Sequence, residues 1–132
     1  MNRYLWHYSY NNWYYVKHPH VFIRDTYLMI KWFFQRGYRG YADCDVWSID
    51  GYLLSWLPEA LTVLTKNQHG YPANMSGPEE WEDILNAMIS GLKSANKSLM
   101  LEGETPEDNR RLYEAGEVGL DLFRKHFYSL WD

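Results

Sequence analysis

From residue 20 onward, apolar positions recur at steps of three and four, the period of a helix with one buried face. Val21, Phe22, Leu28, Met29, Trp32 and Phe33 give a broad apolar face to a first helix, from about His20 to Gln35, opened by Pro19. Proline suits a first turn because its missing N–H has no partner there in any case. Val46, Ile49, Leu53, Leu57, Ala60 and Leu64 line a second helix, about Cys44 to Asn67, with a kink expected at its internal Pro58. Trp81, Ile84, Leu85, Met88, Leu92, Ala95 and Leu99 line a third, entered through Ser76-Gly77-Pro78-Glu79, a Ser-x-x-Glu capping box. Thr105-Pro106 opens the fourth, whose face reads Leu112, Ala115, Gly116, Gly119, Phe123, Phe127 and Leu130; its two glycines invite close approach of another helix. Ahead of these, Tyr4, Trp6, Tyr8 and Tyr10 alternate up to Asn11-Asn12, which fits a short hairpin or an extended arm. The pattern predicts an all-α single domain over residues 1–132. It is an irregular four-helix bundle (18–132) preceded by an aromatic N-terminal arm or short hairpin (1–17).

The first and second helices are joined by Arg36-Gly37-Tyr38-Arg39-Gly40-Tyr41-Ala42-Asp43-Cys44-Asp45-Val46-Trp47-Ser48-Ile49-Asp50. Gly37 and Gly40 are expected to break the first helix. Asp43 is placed as an N-cap for the second, and Asp45 lies where it favours the positive end of the helix dipole. Asp43, Trp47, Asp50 and Leu54 share a stripe beside the apolar face, so Asp50 sits at its margin and needs a cation or several donors. Arg36 and Arg39 are the nearest cations in sequence. Three readings fit this stretch: an ion pair locking the loop onto the helix, a polar site where Arg, Asp and Trp meet a ligand, or a metal or catalytic carboxylate site.

The run Arg39-Gly40-Tyr41-Ala42-Asp43-Cys44-Asp45-Val46-Trp47-Ser48-Ile49-Asp50 resembles the signature of a family of small phage proteins. That family carries Arg-Gly-aromatic-X-Asp-Ser/Cys-Asp/Glu-X-Trp-Asn/Ser-hydrophobic-Asp. His18-Pro19, His69-Gly70-Tyr71-Pro72, the Glu80-to-Ile89 run and the last fourteen residues also resemble it, over roughly residues 17–132. Ala42 and Ser48 depart from the commoner Asp/Ser and Asn. The resemblance implies phage or prophage origin, and no catalytic or binding role comes with it.

Composition sharpens the picture at three points. Aromatics are 18% of the chain, with seven Trp and twelve Tyr; such amphipathic rings serve large cores and also interfaces and ligand pockets. The net charge of −4 is uneven. Residues 1–40 hold six Lys/Arg against one acid, and the other 92 hold seven against sixteen. An acidic chain does not suit general DNA binding, which neutralises phosphates with basic groups. The lone cysteine, Cys44, excludes an intrachain disulfide framework. With neither a signal-peptide pattern nor a long apolar run, the expected location is the host cytoplasm, off the membrane.

No nucleotide loop, dinucleotide fingerprint, nucleophile elbow or zinc motif occurs, so no catalytic residue, metal or cofactor is assigned. Arg24 and Lys31 share a helical face and are either solvated or, with Arg36 and Arg39, part of an anion site. Stacking rings and guanidinium forks suit a flat anionic molecule. The expected ligand-binding set is Arg24, Lys31, Arg36, Arg39, Tyr41, Asp43, Trp47, Asp50, His69 and Tyr71. The expected function is a non-enzymatic, homo-oligomeric phage counter-defence protein that sequesters a nucleotide-derived host signal. The alternatives are a protein–protein inhibitor of a host defence factor or a phage assembly factor and, less favoured, an enzyme using Asp43 and Asp50.

Overall fold

The computed structural model describes residues 12–131, and no strand occurs among them. The chain is all-α and forms two compact units, Met1–Ile49 and Asp50–Asp132, where the sequence pattern points to one domain.

The first unit contains α1 (Asn12–Lys17), α2 (Pro19–Arg39) and a 3-10 turn (Asp45–Ser48). Residues 12–17 are therefore helical rather than the second limb of a hairpin; the rest of the expected aromatic arm lies outside the described residues. The Tyr15 ring meets Phe22 edge-on, and its hydroxyl donates to Asp25 at 3.3 Å. Pro19 stands in the first turn of α2 as the sequence indicates, but the helix runs on through Gly37 to Arg39. Gly40 ends it at φ +81°, and its N–H donates to the Arg36 carbonyl at 3.0 Å. A left-handed residue after the last turn is a common helix stop, and glycine adopts it without a Cβ clash.

The second unit is built on α3 (Ile49–Asn67), α4 (Pro78–Leu99) and α5 (Pro106–His126), followed by a 3-10 turn at Phe127–Ser129. Leu61, Met88, Ile89 and Leu92 form its core, with Leu54, Leu57, Leu64, Ile84, Leu122, Phe123 and Leu130 packed against them. The buried stripe of α3 is thus Leu54, Leu57, Leu61 and Leu64. Of the expected stripe, Leu57 and Leu64 lie on this side, while Val46, Ile49, Leu53 and Ala60 are exposed. The cause is the 3-10 turn: its tighter winding ends at Ser48, so counting helical steps from Val46 carries the wrong phase into α3. Pro58 is buried inside α3, and its carbonyl accepts from the Thr62 hydroxyl at 2.8 Å.

The two remaining helix starts differ. Thr105 caps α5 through a reciprocal box with Asp108. At α4 the cap position is Gly77, without a side-chain bond, and Glu80 rather than Glu79 reaches back to accept from the Ser76 N–H at 2.7 Å.

Helices α4 and α5 touch backbone to backbone. A Cβ on Gly91 would lie 2.4 Å from the Gly119 Cα, and one on Gly116 would lie 2.8 Å from the Ala95 Cα. The glycines on the fourth predicted helix do permit the approach they invite, and Gly91 supplies the other half. We expect Gly119→Ala to destabilise the second unit by about 1–3 kcal/mol, the cost of overpacking. This outweighs the gain in helix propensity of up to about 1 kcal/mol, and urea unfolding measures it.

His126 takes the buried place that periodicity assigns to Phe127, which is exposed. Its ring lies 5.4 Å from Trp81, and its Nε2 has no hydrogen-bond partner. Burial, with Lys125 next in sequence, holds its pKa below the ordinary histidine range. Below about pH 6.5 the unfolded chain binds a proton at this ring that the folded chain refuses. Stability should therefore fall as pH drops beneath that value. Denaturant midpoints for His126→Phe, compared with wild type between pH 7 and 5.5, should show a shallower loss in the variant.

Candidate functional site

The C-terminal half of α2 presents Lys31, Gln35 and Arg39 at four-residue intervals, one stripe of one face, with Arg36 beside it. Gly40 turns the chain back, and the segment to Asp45 returns along this stripe. Two carboxylates fasten it. Asp45 is 1% exposed and accepts two parallel bonds from Arg36, Nε to Oδ2 at 2.9 Å and Nη2 to Oδ1 at 2.6 Å. It also accepts from the buried Ala42 N–H at 2.7 Å, while its own N–H donates to the Ala42 carbonyl at 3.0 Å. The Cys44 thiol donates to Asp45 Oδ1 at 3.6 Å. A buried carboxylate with a bidentate guanidinium and a backbone donor has most of its lone pairs answered, which is what makes its burial tolerable.

Asp43 makes the second fastening, on the solvent side. Lys31 Nζ lies 2.9 Å from Oδ2, Gln35 Nε2 donates to the same oxygen at 2.8 Å, and Arg39 donates to Oδ1. Gln35 completes a reciprocal pair by accepting from the Asp43 N–H at 3.0 Å. These donors, led by Gln35, hold the Asp43 carboxyl far below its ordinary range. Arg39 also donates to the Tyr41 carbonyl at 3.0 Å and lies 4.6 Å from the centre of the Tyr41 ring.

The structure therefore joins Lys31, Arg36, Arg39, Tyr41 and Asp43 in one cluster. The roles differ from those expected. Asp43 is not an N-cap: the 3-10 turn has Cys44 at that position, with no side-chain cap. Asp45, expected to serve a helix dipole, is the buried centre. The guanidinium groups of Arg36 and Arg39 engage Asp45 and Asp43, the carboxylates nearest the helix stop. Arg24 lies further up α2 and pairs with Asp25 at 2.9 Å. Trp47, on the 3-10 turn, is 93% exposed. Asp50, His69 and Tyr71 belong to the second unit and are exposed; Asp50 Oδ1 accepts from the Gly51 N–H at 2.8 Å.

Sequence reasoning missed Gln35 and the central role of Asp45. The stripe Lys31, Gln35, Arg39, running directly into a glycine stop and an Asp-x-Asp pair, was the available signal for both. A shallow groove on α5, lined by Val118, Asp121, Leu122, Arg124 and Lys125, holds none of the expected site residues. Among the described residues, no group of three or more His, Cys, Asp or Glu is placed to hold a metal ion, and no helix is long and apolar enough to cross a membrane.

The two fastenings should differ in weight. Removing one partner of a buried pair costs about 3–5 kcal/mol, so Asp45→Ala should raise the hydrogen-exchange rate of the Ala42 amide by about a hundredfold or more. Asp43→Ala, which unties a pair open to solvent, should change the same rate far less. No family model, no curated protein and no solved structure matches this chain.

Proposed function

We propose that this chain is a phage accessory protein that acts by binding another protein, with Trp47 as the anchor. The observation that carries the reading is the setting of that indole: almost fully exposed, on a turn whose first residue, Asp45, is held by Arg36 at the centre of the clasp that residues 40–45 form on α2. A large ring with only two side-chain torsions offers much contact area at a small cost in conformational freedom, which is one reason Trp and Tyr dominate interface hot spots. The cations expected to attract a nucleotide are meanwhile engaged: Lys31 and Arg39 with Asp43, Arg36 with Asp45. The resemblance to small phage proteins supports an accessory role in which a host defence factor or an assembly component is the partner.

A second reading, capture of a nucleotide-derived signal, is supported by Arg39 over Tyr41 beside a half-exposed Asp43. An anion that displaces this carboxylate would meet Lys31, Arg39 and a ring together.

One comparison separates them. Under the first reading, a stoichiometric protein co-purifies from infected or host cells. Trp47→Ala weakens its affinity about 30-fold or more, the scale of a hot spot, and Arg39→Ala has a small effect. Titration heat with a cyclic nucleotide or ADP-ribose derivative that vanishes in Arg39→Ala, with no protein recovered, replaces it with the second.

A further inference from the structure

Helix α2 has no buried residue in any of its 21 positions. Its half-buried side, with Val21, Asp25, Leu28, Trp32 and Arg36, includes the residues that meet α1 and the clasp. At 3.6 residues per turn, the opposite half of the circumference carries Ile23, Tyr27, Ile30, Phe33 and Phe34, all exposed, with half-buried Thr26 among them, Phe22, whose ring meets Tyr15 of α1, at one edge, and Tyr38 95% exposed at its end. Lys31, at its margin, is the only Lys, Arg, Asp or Glu on this half. The outward side of the helix is thus its more apolar side, the reverse of a solvated surface helix.

We propose that this face is the contact between two copies of the chain, paired about a two-fold axis. Three observations commit it to a second copy. First, the area fits: at about 200 Å² per large side chain, these seven large residues expose roughly 900 Å², close to the ~800 Å² that each partner brings to a stable interface. Second, a two-fold axis sets one patch against itself, and a patch whose one marginal cation, Lys31, is paired with Asp43 meets its own copy with little like-charge repulsion. The cations on its shoulders are answered within their own unit, Arg24 by Asp25, Lys31 and Arg39 by Asp43, Arg36 by Asp45. Third, Gly37 lies inside this face with nothing within 4 Å of where its Cβ would stand, which leaves room for a neighbouring backbone. This pairing does not depend on the Trp47 anchor, which projects from a different element.

Light scattering on the full chain at high micromolar concentration should give twice the 15.9 kDa of one chain. Ile30→Glu and Phe34→Lys should each return it to 15.9 kDa with the far-ultraviolet helix signal retained, while Val63→Glu, exposed on the second unit, should leave the doubled mass. In a mixture of light and heavy-nitrogen wild-type chains, Lys31 should cross-link between copies, a readout that needs no variant to fold. A wild-type mass of 15.9 kDa overturns the proposal. So does a doubled mass that persists in both α2 variants, or the absence of inter-copy Lys31 cross-links. Loss of partner affinity in Trp47→Ala leaves all of these readouts unmoved, so the two readings fail separately.

Discussion

The first unit depends on one carboxylate out of water. Asp45 has no exposed surface to speak of, and an ionised group in that position is tolerable only when its oxygens are answered. The Arg36 fork and the Ala42 amide answer them. Because that geometry is bidentate and includes a backbone donor, it fixes where the returning segment lies along α2 and how it is oriented. The outer fastening at Asp43 follows from it: once residues 40–45 run beside the helix, Lys31, Gln35 and Arg39 are within reach by spacing alone. The reading of Trp47 as a rigid anchor and of the α2 apolar half as an open face both presuppose this returned segment. The clasp occupies the polar side of the helix, and Ile23, Tyr27, Ile30, Phe33 and Phe34 on the other side are exposed.

The same interaction changes the meaning of the charge distribution. Cutting the chain at residue 40 gives six cations against one acid, a strongly basic front. Cutting it where the structure divides, after Ile49, gives six against three, because Asp43 and Asp45 fall on the basic side. Those two acids are the ones that engage Lys31, Arg36 and Arg39. A charge count along the sequence registers a reservoir of positive potential, whereas in space Arg24, Lys31, Arg36 and Arg39 are engaged by Asp25, Asp43 and Asp45. This is why a binding surface built on rings fits the geometry better than one built on cations.

Much of the fold was legible because it rests on local rules. Pro19, Pro78 and Pro106 each open a long helix, Thr105 caps one, and Gly116 and Gly119 mark a close crossing, all from residue type and spacing. The phase of α3 was not legible, since a four-residue 3-10 turn ahead of it shifts the stripe and both candidate stripes are rich in leucine. At the candidate site, Lys31, Arg36, Arg39, Tyr41 and Asp43 come from the expected set, whereas Gln35, the central Asp45 and the pairing do not. Helical spacing shows that Lys31 and Arg39 share a stripe, yet which of Asp43, Asp45 and Asp50 returns to it depends on the path of a glycine-hinged loop. Nor could a periodic pattern separate the two apolar sides of α2, because both are apolar.

The meeting of Gly91 with Gly119 has a consequence for what the second unit can become. Where two main chains touch, no rotamer can absorb a change, and sliding by one turn would bring Met88 or Ala95 against a gap sized for hydrogen. The α4–α5 hairpin is therefore keyed in register like a tongue in a slot. Its outer surfaces, including the shallow groove on α5, are correspondingly free to accept substitution without moving the frame beneath them.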